Sequence, residues 1–239
     1  MKIKKVYLGR KQIYPDWWSP GENTIAYYPL ETNANDYSWN NYHATTNNVI
    51  FTETWNLKYA EVSWVSWSNR WYCSIPAVFT NQNVGTWDFT VSMRVYPVTT
   101  SNYPMAFWDS NNNPPYYWIN IFLNENGKIL FRLNRNTQKY STSTYSSLIW
   151  SWHHIVYTRI EWTCIAYIDS IQEVTPYTDT TNISQSNWTA YFLWRQGTLQ
   201  PQGRNTNWAK FSKIICEKVW WTAQEISNYF NQTKWNYWL

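Results

Sequence analysis

Three histidines and fifteen acidic residues are the side chains of this sequence best suited to moving protons or holding metals. His153 and His154 are adjacent in SWHHIVYTRI (151–160). Neighbours on a strand point to opposite faces, so the two rings cannot share one metal, and one ring is expected inward and one outward. His43 stands apart in an Asn-rich stretch. There is no Gly-x-Ser-x-Gly elbow and no His-Glu-x-x-His zinc helix. No Glu-x-Asp-x-x-Glu strand pairs carboxylates for glycoside hydrolysis, and no Gly-rich loop cradles phosphate before a helix. Cys73, Cys164 and Cys216 lack CxxC spacing. They read as small buried apolar side chains, with one disulfide plus a spare thiol as the alternative. No catalytic residue is expected.

Oxygen-rich loops are the remaining candidates. Asn33, Asn35 and Asp36 fall in one, and Asp109, Asn111 and Asn112 in FWDSNNNPP. Clustered carboxylate and carbonyl oxygens suit Ca²⁺, the one cofactor expected here. The alternative is that the same residues form Asx-turns. Asp169 is assigned to hairpin geometry.

Composition narrows the scaffold that must position these loops. The 239 residues include 20 Trp, 20 Tyr and 9 Phe but only 6 Gly. An ordinary chain of this length would hold about 17 Gly. High aromatic content excludes disorder, and the lack of abundant Ala, Glu, Lys, Leu and Arg excludes a coiled coil. A net charge of +4 is too small for a nucleic-acid footprint. No apolar run reaches 18 residues, so no membrane-spanning helix is expected. No secretory signal is legible in MKIKKVYLGRKQIYP.

The elements read mostly as strands. Residues 3–14 suggest a hairpin arm around Gly9, and PDWWSPGE (15–22) a linker, so 1–22 is set apart from a domain over 23–239. TIAYYPL (24–30) reads as a strand. DFTVSMRVYP (88–97) alternates apolar and polar residues with period two, a half-buried strand. YWINIFLNENGKILFRLN (117–134) reads as a hairpin about Asn126-Gly127. Residues 151–160 and 163–171 form a second pair across Glu161-Trp162. AYFLWRQ (190–196) and AKFSKIICEKV (209–219) follow. TAQEISNYFNQ (222–232) reads as the only helix, with Thr222 and Glu225 as a capping box. Many short strands with one late helix imply an all-β, two-sheet antiparallel sandwich.

Several segments, in order, resemble one family. IAYYPLETNANDYSWNNYHAT (25–45), TWDFTVSMRVYP (86–97), SWHHIVYTRI (151–160), IAYIDS (165–170) and AKFSKIICEKVWWTAQEISNYFN (209–231) resemble bacterial laminin-G-like, concanavalin-A-like jelly-roll domains. The resemblance implies a jelly-roll sandwich with a short C-terminal helix, and Ca²⁺ at a sheet rim in many members. It implies a non-catalytic module that recognises a glycan or a surface protein, in an extracellular, cell-surface or virion setting.

The sequence departs from that family systematically, carrying Trp where the family carries Gly. Trp39, Trp87, Trp162, Trp194 and Trp208 occupy such positions, and Trp64, Trp67 and Trp71 punctuate what reads as a Gly/Ser-type loop. Trp152 matches a genuine family Trp. Either the protein has unusual turns, or its source reads UGA as glycine. Reassigning about 16 Trp would bring Gly to about 9%, near the usual ~7%. Trp39, Trp87 and Trp162 are then expected in exposed turns, often at positive φ.

Two further functions stay open. One is a phage or prophage virion or tail protein, assembling or attaching to a host through the jelly roll, with the basic N-terminal arm as a docking element. The other is a glycoside-active enzyme, which would require two facing carboxylates about 5–10 Å apart.

Overall fold

The computed structural model describes residues 6–8, 11–13, 20–54, 57–62, 71–76, 84–97, 105–106, 108–109, 119–123, 128–133, 137–144, 148–183, 190–195 and 210–234. In chain order the strands are β1 Val6–Leu8, β2 Lys11–Ile13, β3 Thr24–Tyr28, β4 Thr45–Asn47, β5 Val49–Glu53 and β6 Lys58–Val62. They continue as β7 Trp71–Ile75, β8 Phe89–Tyr96, β9 Met105–Ala106, β10 Trp108–Asp109, β11 Asn120–Leu123 and β12 Ile129–Arg132. The last are β13 Lys139–Tyr140, β14 His153–Ile160, β15 Thr163–Ile168, β16 Ile171–Thr178, β17 Ala190–Arg195 and β18 Lys210–Glu217, followed by helix α1, Ala223–Thr233.

All pairings are antiparallel. One large sheet runs β16-β15-β14-β8-β18-β6-β5, with β3 also on β18. Two four-stranded sheets, β10-β17-β7-β4 and β13-β12-β11-β9, complete the sandwich. Among the described residues the expected two layers are thus one continuous eight-stranded sheet and two four-stranded sheets. β1 and β2 form a separate hairpin. The turn around Asn126-Gly127 lies outside the described residues; β11 and β12 pair as an antiparallel hairpin, Leu123 opposite Ile129, a register centred on Asn126 and so one residue off that of a two-residue Asn-Gly turn.

The main core joins inward side chains of the large sheet, including Phe89, Val91, Met93, Ile155 and Tyr157, to Cys73, Ile75, Ile121 and Phe131 of the smaller sheets. Cys73, Cys164 and Cys216 are buried free thiols. Burial pushes the Cys164 thiol up to about 12, so it stays protonated and unreactive at neutral pH. Trp152 is buried between Tyr59 and Tyr96, with ring centroids 5.9 and 5.6 Å away.

The other face of the large sheet is also covered, which period two in β8 does not foretell. Thr90, Ser92 and Arg94 are buried rather than half-exposed. Thr90 Oγ1 pairs with Thr158 Oγ1 at 3.0 Å and accepts from Trp221 N at 2.9 Å. Ser92 Oγ pairs with His154 Nε2 at 2.7 Å. Helix α1 lies over this row. Thr222 and Glu225 make the capping box, and Ile226, Tyr229 and Phe230 turn inward. Phe230 stacks on His154 at 3° between planes, Tyr229 packs against the same ring, and Arg94 donates to Thr233 Oγ1. His154 points outward from the strand as expected, yet burial beneath the helix holds its pKa well below the ordinary imidazole range.

Candidate functional site

The loop between β3 and β4 bridges the large sheet to one of the smaller sheets, at the edge of the sandwich. Its anchor is Asp36, only 4% exposed. Oδ1 accepts from Tyr27 N and Ser38 N, both at 2.8 Å. Oδ2 accepts from Ser38 Oγ at 2.7 Å and Tyr42 N at 2.8 Å. The Asp36 amide donates to His43 Nδ1 at 3.1 Å, which fixes His43 as an acceptor within the loop. Tyr28 donates its hydroxyl to Tyr42 O at 2.6 Å. Four donors on one buried carboxylate hold the backbone in a single course.

Both Asp36 oxygens already accept two hydrogen bonds each from loop donors, which Ca²⁺ bound there would have to displace. Asn33 forms an Asx-turn instead, its Oδ1 accepting from Asn35 N at 2.9 Å. Asp109 falls in strand β10, while Asn111 and Asn112 lie outside the described residues. Among the described residues no three His, Cys, Asp or Glu side chains converge on a metal position.

The anchored loop projects aromatic groups. Tyr37 is 57% exposed and Trp39, in the turn that follows Ser38, 83%. Trp87 is 68% exposed in a bend before β8, its amide held by Val84 O at 2.7 Å. Neither Trp39 nor Trp87 has positive φ; Trp162 has φ 72 and follows Glu161 at φ 44. Ile160 pairs with Thr163, so these two form a tight turn with left-handed backbone at both central positions. Contrary to expectation Trp162 is only partly exposed, because its ring lies 5.5 Å from the Arg159 guanidinium. Trp150, which the sequence did not single out, has φ 64 and is 63% exposed. Trp194 lies in strand β17 rather than in a turn, within a register shift between Phe192 and Arg195. Such bulges are where strands often carry glycine. Trp71 opens strand β7 instead of punctuating a loop. Trp64, Trp67 and Trp208 lie outside the described residues.

Arg159 is fully buried and locks the β14–β15 end. It donates to Trp87 O through Nε and Nη2 (3.1 and 2.6 Å), to Gly85 O at 2.9 Å and to Thr181 O at 2.8 Å. At the opposite end of β14, His153 lies between two partners. Nδ1 is 2.5 Å from Asp169 Oδ2, and Nε2 is 2.7 Å from Ser151 Oγ. Asp169 Oδ1 accepts from His154 N at 2.8 Å. Asp169 and Ser170 both have positive φ (51 and 67) in the β15–β16 turn, so Asp169 serves the hairpin and also orients a ring.

No family model matches the chain, and no curated protein sequence does. Solved structures do match in fold. The binding domain of Paraclostridial Mosquitocidal Protein 1 aligns with TM-score 0.67 and 16% identity, over 88% of this chain and 52% of that one. The binding domain of botulinum neurotoxin DC, solved in complex with SialylT, aligns with TM-score 0.63 and 15% identity over 88% and 52%. Domain 4 of AbnA, an extracellular GH43 arabinanase from Geobacillus stearothermophilus, solved with arabinotriose, aligns with TM-score 0.61 and 12% identity over 87% and 98%. The chain thus spans about half the length of the toxin binding domains and corresponds to nearly the whole of the arabinanase domain. At these identities the likeness establishes the fold: an all-β jelly-roll-like sandwich of the kind found in toxin binding domains and carbohydrate-enzyme domains.

Proposed function

We propose that this chain is a recognition module that binds a glycan, or a glycan-bearing surface protein, through the loop edge between β3 and β4. The observation that carries the proposal is the solvent-projected Tyr37 and Trp39 on a loop locked by Asp36. Aromatic faces pack against the apolar faces of sugars, and a rigid loop offers them with little ordering entropy to lose. The likeness to domains solved with SialylT and with arabinotriose supports a glycan as the ligand. The setting we propose is extracellular or surface-exposed. No described helix is long and apolar enough to cross a membrane.

We further propose that the Trp residues at φ-positive turns are glycine positions of a source that decodes UGA as glycine. Tyr37 is untouched by that reassignment and is therefore the contact residue of choice. The experiment is a glycan array including arabino-oligosaccharides and sialylated glycans, with and without Ca²⁺. It is run on the Trp-containing protein and on a version with Gly at 39, 87, 150, 162, 194 and 208. Binding that falls about tenfold in Tyr37→Ala (~1.4 kcal/mol) is the expected result. Absence of binding to every glycan in all four conditions overturns it. Mass spectrometry of the native protein tests the reassignment, and Trp-containing peptides at 150 and 162 would reject it.

A second reading, attachment within a virion or surface assembly, rests on the separate β1–β2 hairpin. A lone two-stranded hairpin is marginal in water and gains most by pairing with a partner. Deleting residues 1–14 would abolish assembly under this reading and leave glycan binding intact.

A further inference from the structure

We infer that Ser151, His153 and Asp169 form a hydrogen-bonded relay that makes Ser151 a nucleophile toward acyl esters. In the arrangement we infer, Asp169 Oδ2 accepts and Nδ1 of the His153 ring, 2.5 Å away, carries the hydrogen. Nε2 then bears the lone pair and takes the Ser151 hydroxyl at 2.7 Å. A nucleophile, a base and a group that orients the base thus stand in the required order and within hydrogen-bond reach. Asp169 is itself held, because its other oxygen accepts the His154 amide. The side chains of His153 and Asp169 are 8% and 18% exposed, so the relay is screened from bulk water. Ser151 is half-buried and touches solvent.

Three of the left-handed residues flank the relay. Trp150, directly before Ser151, has φ 64, and Asp169 and Ser170 have φ 51 and 67. Ile171, largely exposed, adjoins the relay just after Asp169 in sequence and offers apolar surface for an acyl chain.

The step balances without an added reagent. The Ser151 Oγ–carbonyl bond forms as the hydroxyl proton passes to His153 Nε2. The ester C–O bond then breaks, and the departing alkoxide oxygen takes that proton. Water repeats the exchange, giving its proton to Nε2 and releasing a carboxylic acid and free Ser151.

A fluorophosphonate probe and p-nitrophenyl acetate test the inference on the full chain. The expected result is a stoichiometric adduct mapped to the peptide bearing Ser151, with ester turnover, both absent in Ser151→Ala. Asp169→Asn keeps the shape but offers its amide N–H to Nδ1, forcing the other tautomer. It is expected to slow labelling at least a hundredfold, the range of general-base catalysis, while circular dichroism and melting confirm that the variant is folded. If labelling is absent, or is spread over other serines of the folded protein, the proposal fails. It fails equally if folded Asp169→Asn labels as fast as the parent, since the three groups would then be a structural chain of hydrogen bonds only. Glycan binding by the Tyr37 loop is unaffected by either outcome.

Discussion

Replacing Trp150 with glycine is expected to stabilise the fold, although it deletes a large aromatic side chain. The residue sits at φ 64, where an L side chain crowds the following carbonyl and costs roughly 1–2 kcal/mol. Glycine removes that strain but gives the unfolded chain more freedom, which costs about 0.5–1 kcal/mol. Trp150 is 63% exposed, so little packing is lost. The balance is a gain of about 0.5–1 kcal/mol, which in a chain of this size raises Tm by about 1–4 °C. Two neighbouring cases calibrate the reasoning. Trp162, at φ 72, gains the same relief but loses its stacking over Arg159, about 0.5–1 kcal/mol, so its glycine variant should be near neutral. Trp39 lacks positive φ, so glycine there should cost about 0.5–1 kcal/mol. Urea unfolding with an unchanged m-value measures all three. A lower midpoint for Trp150→Gly than for the parent would refute the argument, as would a series in which Trp39→Gly is the most stable member.

Glu173 anchors residues 142–143, accepting from Thr142 Oγ1 at 2.5 Å, Ser143 N at 2.7 Å and Ser143 Oγ at 2.6 Å. Burial alone would raise its pKa, but these donors outweigh it and hold the value below the ordinary carboxylate range. Its contribution is therefore present above the unfolded pKa of about 4.3 and is lost as pH falls through the folded value. Glu173→Gln should destabilise by about 1–3 kcal/mol at pH 7 and flatten the acid limb of a stability–pH curve; an unchanged limb would contradict the sign. Trp152→Ala should cost about 3–5 kcal/mol, measured by the same unfolding assay, because it empties a buried cluster with Tyr59 and Tyr96. Thr222→Ala removes one half of the capping box and should cost about 1 kcal/mol, with hydrogen exchange rising first along α1.

The sandwich was legible because its signals are local. Period two marked β8, the apolar runs marked β11 and β12, and Thr222 with Glu225 marked the start of α1. What escaped depends on tertiary covering or on weak local patterns. β4, β5, β6 and β13 carry mixed polar sequences with no clean alternation, and β16 contains Pro176, which demotes a strand on inspection. The buried Thr90–Ser92–Arg94 row looked like a solvent face because nothing in β8 announces the helix that lies over it. At the site, Asp36 was found as a loop oxygen, but its four donors come from Tyr27, Ser38 and Tyr42, so its structural role belongs to the folded loop. Asp169 was assigned to the hairpin; that it also grips His153, and through it Ser151, depends on β14 and β15 lying in register. The signal that could have found this relay is the Ser-x-His spacing of residues 151 and 153, which places both side chains on one face of an extended segment.

The pairing of β3 with β18 has a mechanical consequence. Thr24 lies opposite Glu217 and Tyr28 opposite Ile214, so the chain enters β3 and leaves β18 at the same end of one antiparallel ladder. Tension applied through the two flanking segments would load that ladder one rung at a time, as in opening a zipper, rather than shearing all rungs together. The contact between Thr24 Oγ1 and Glu217 Oε1 at 3.3 Å stands at the first rung. A module strung between two pulling attachments would open there at low force, whereas one tethered from a single side would never feel that joint.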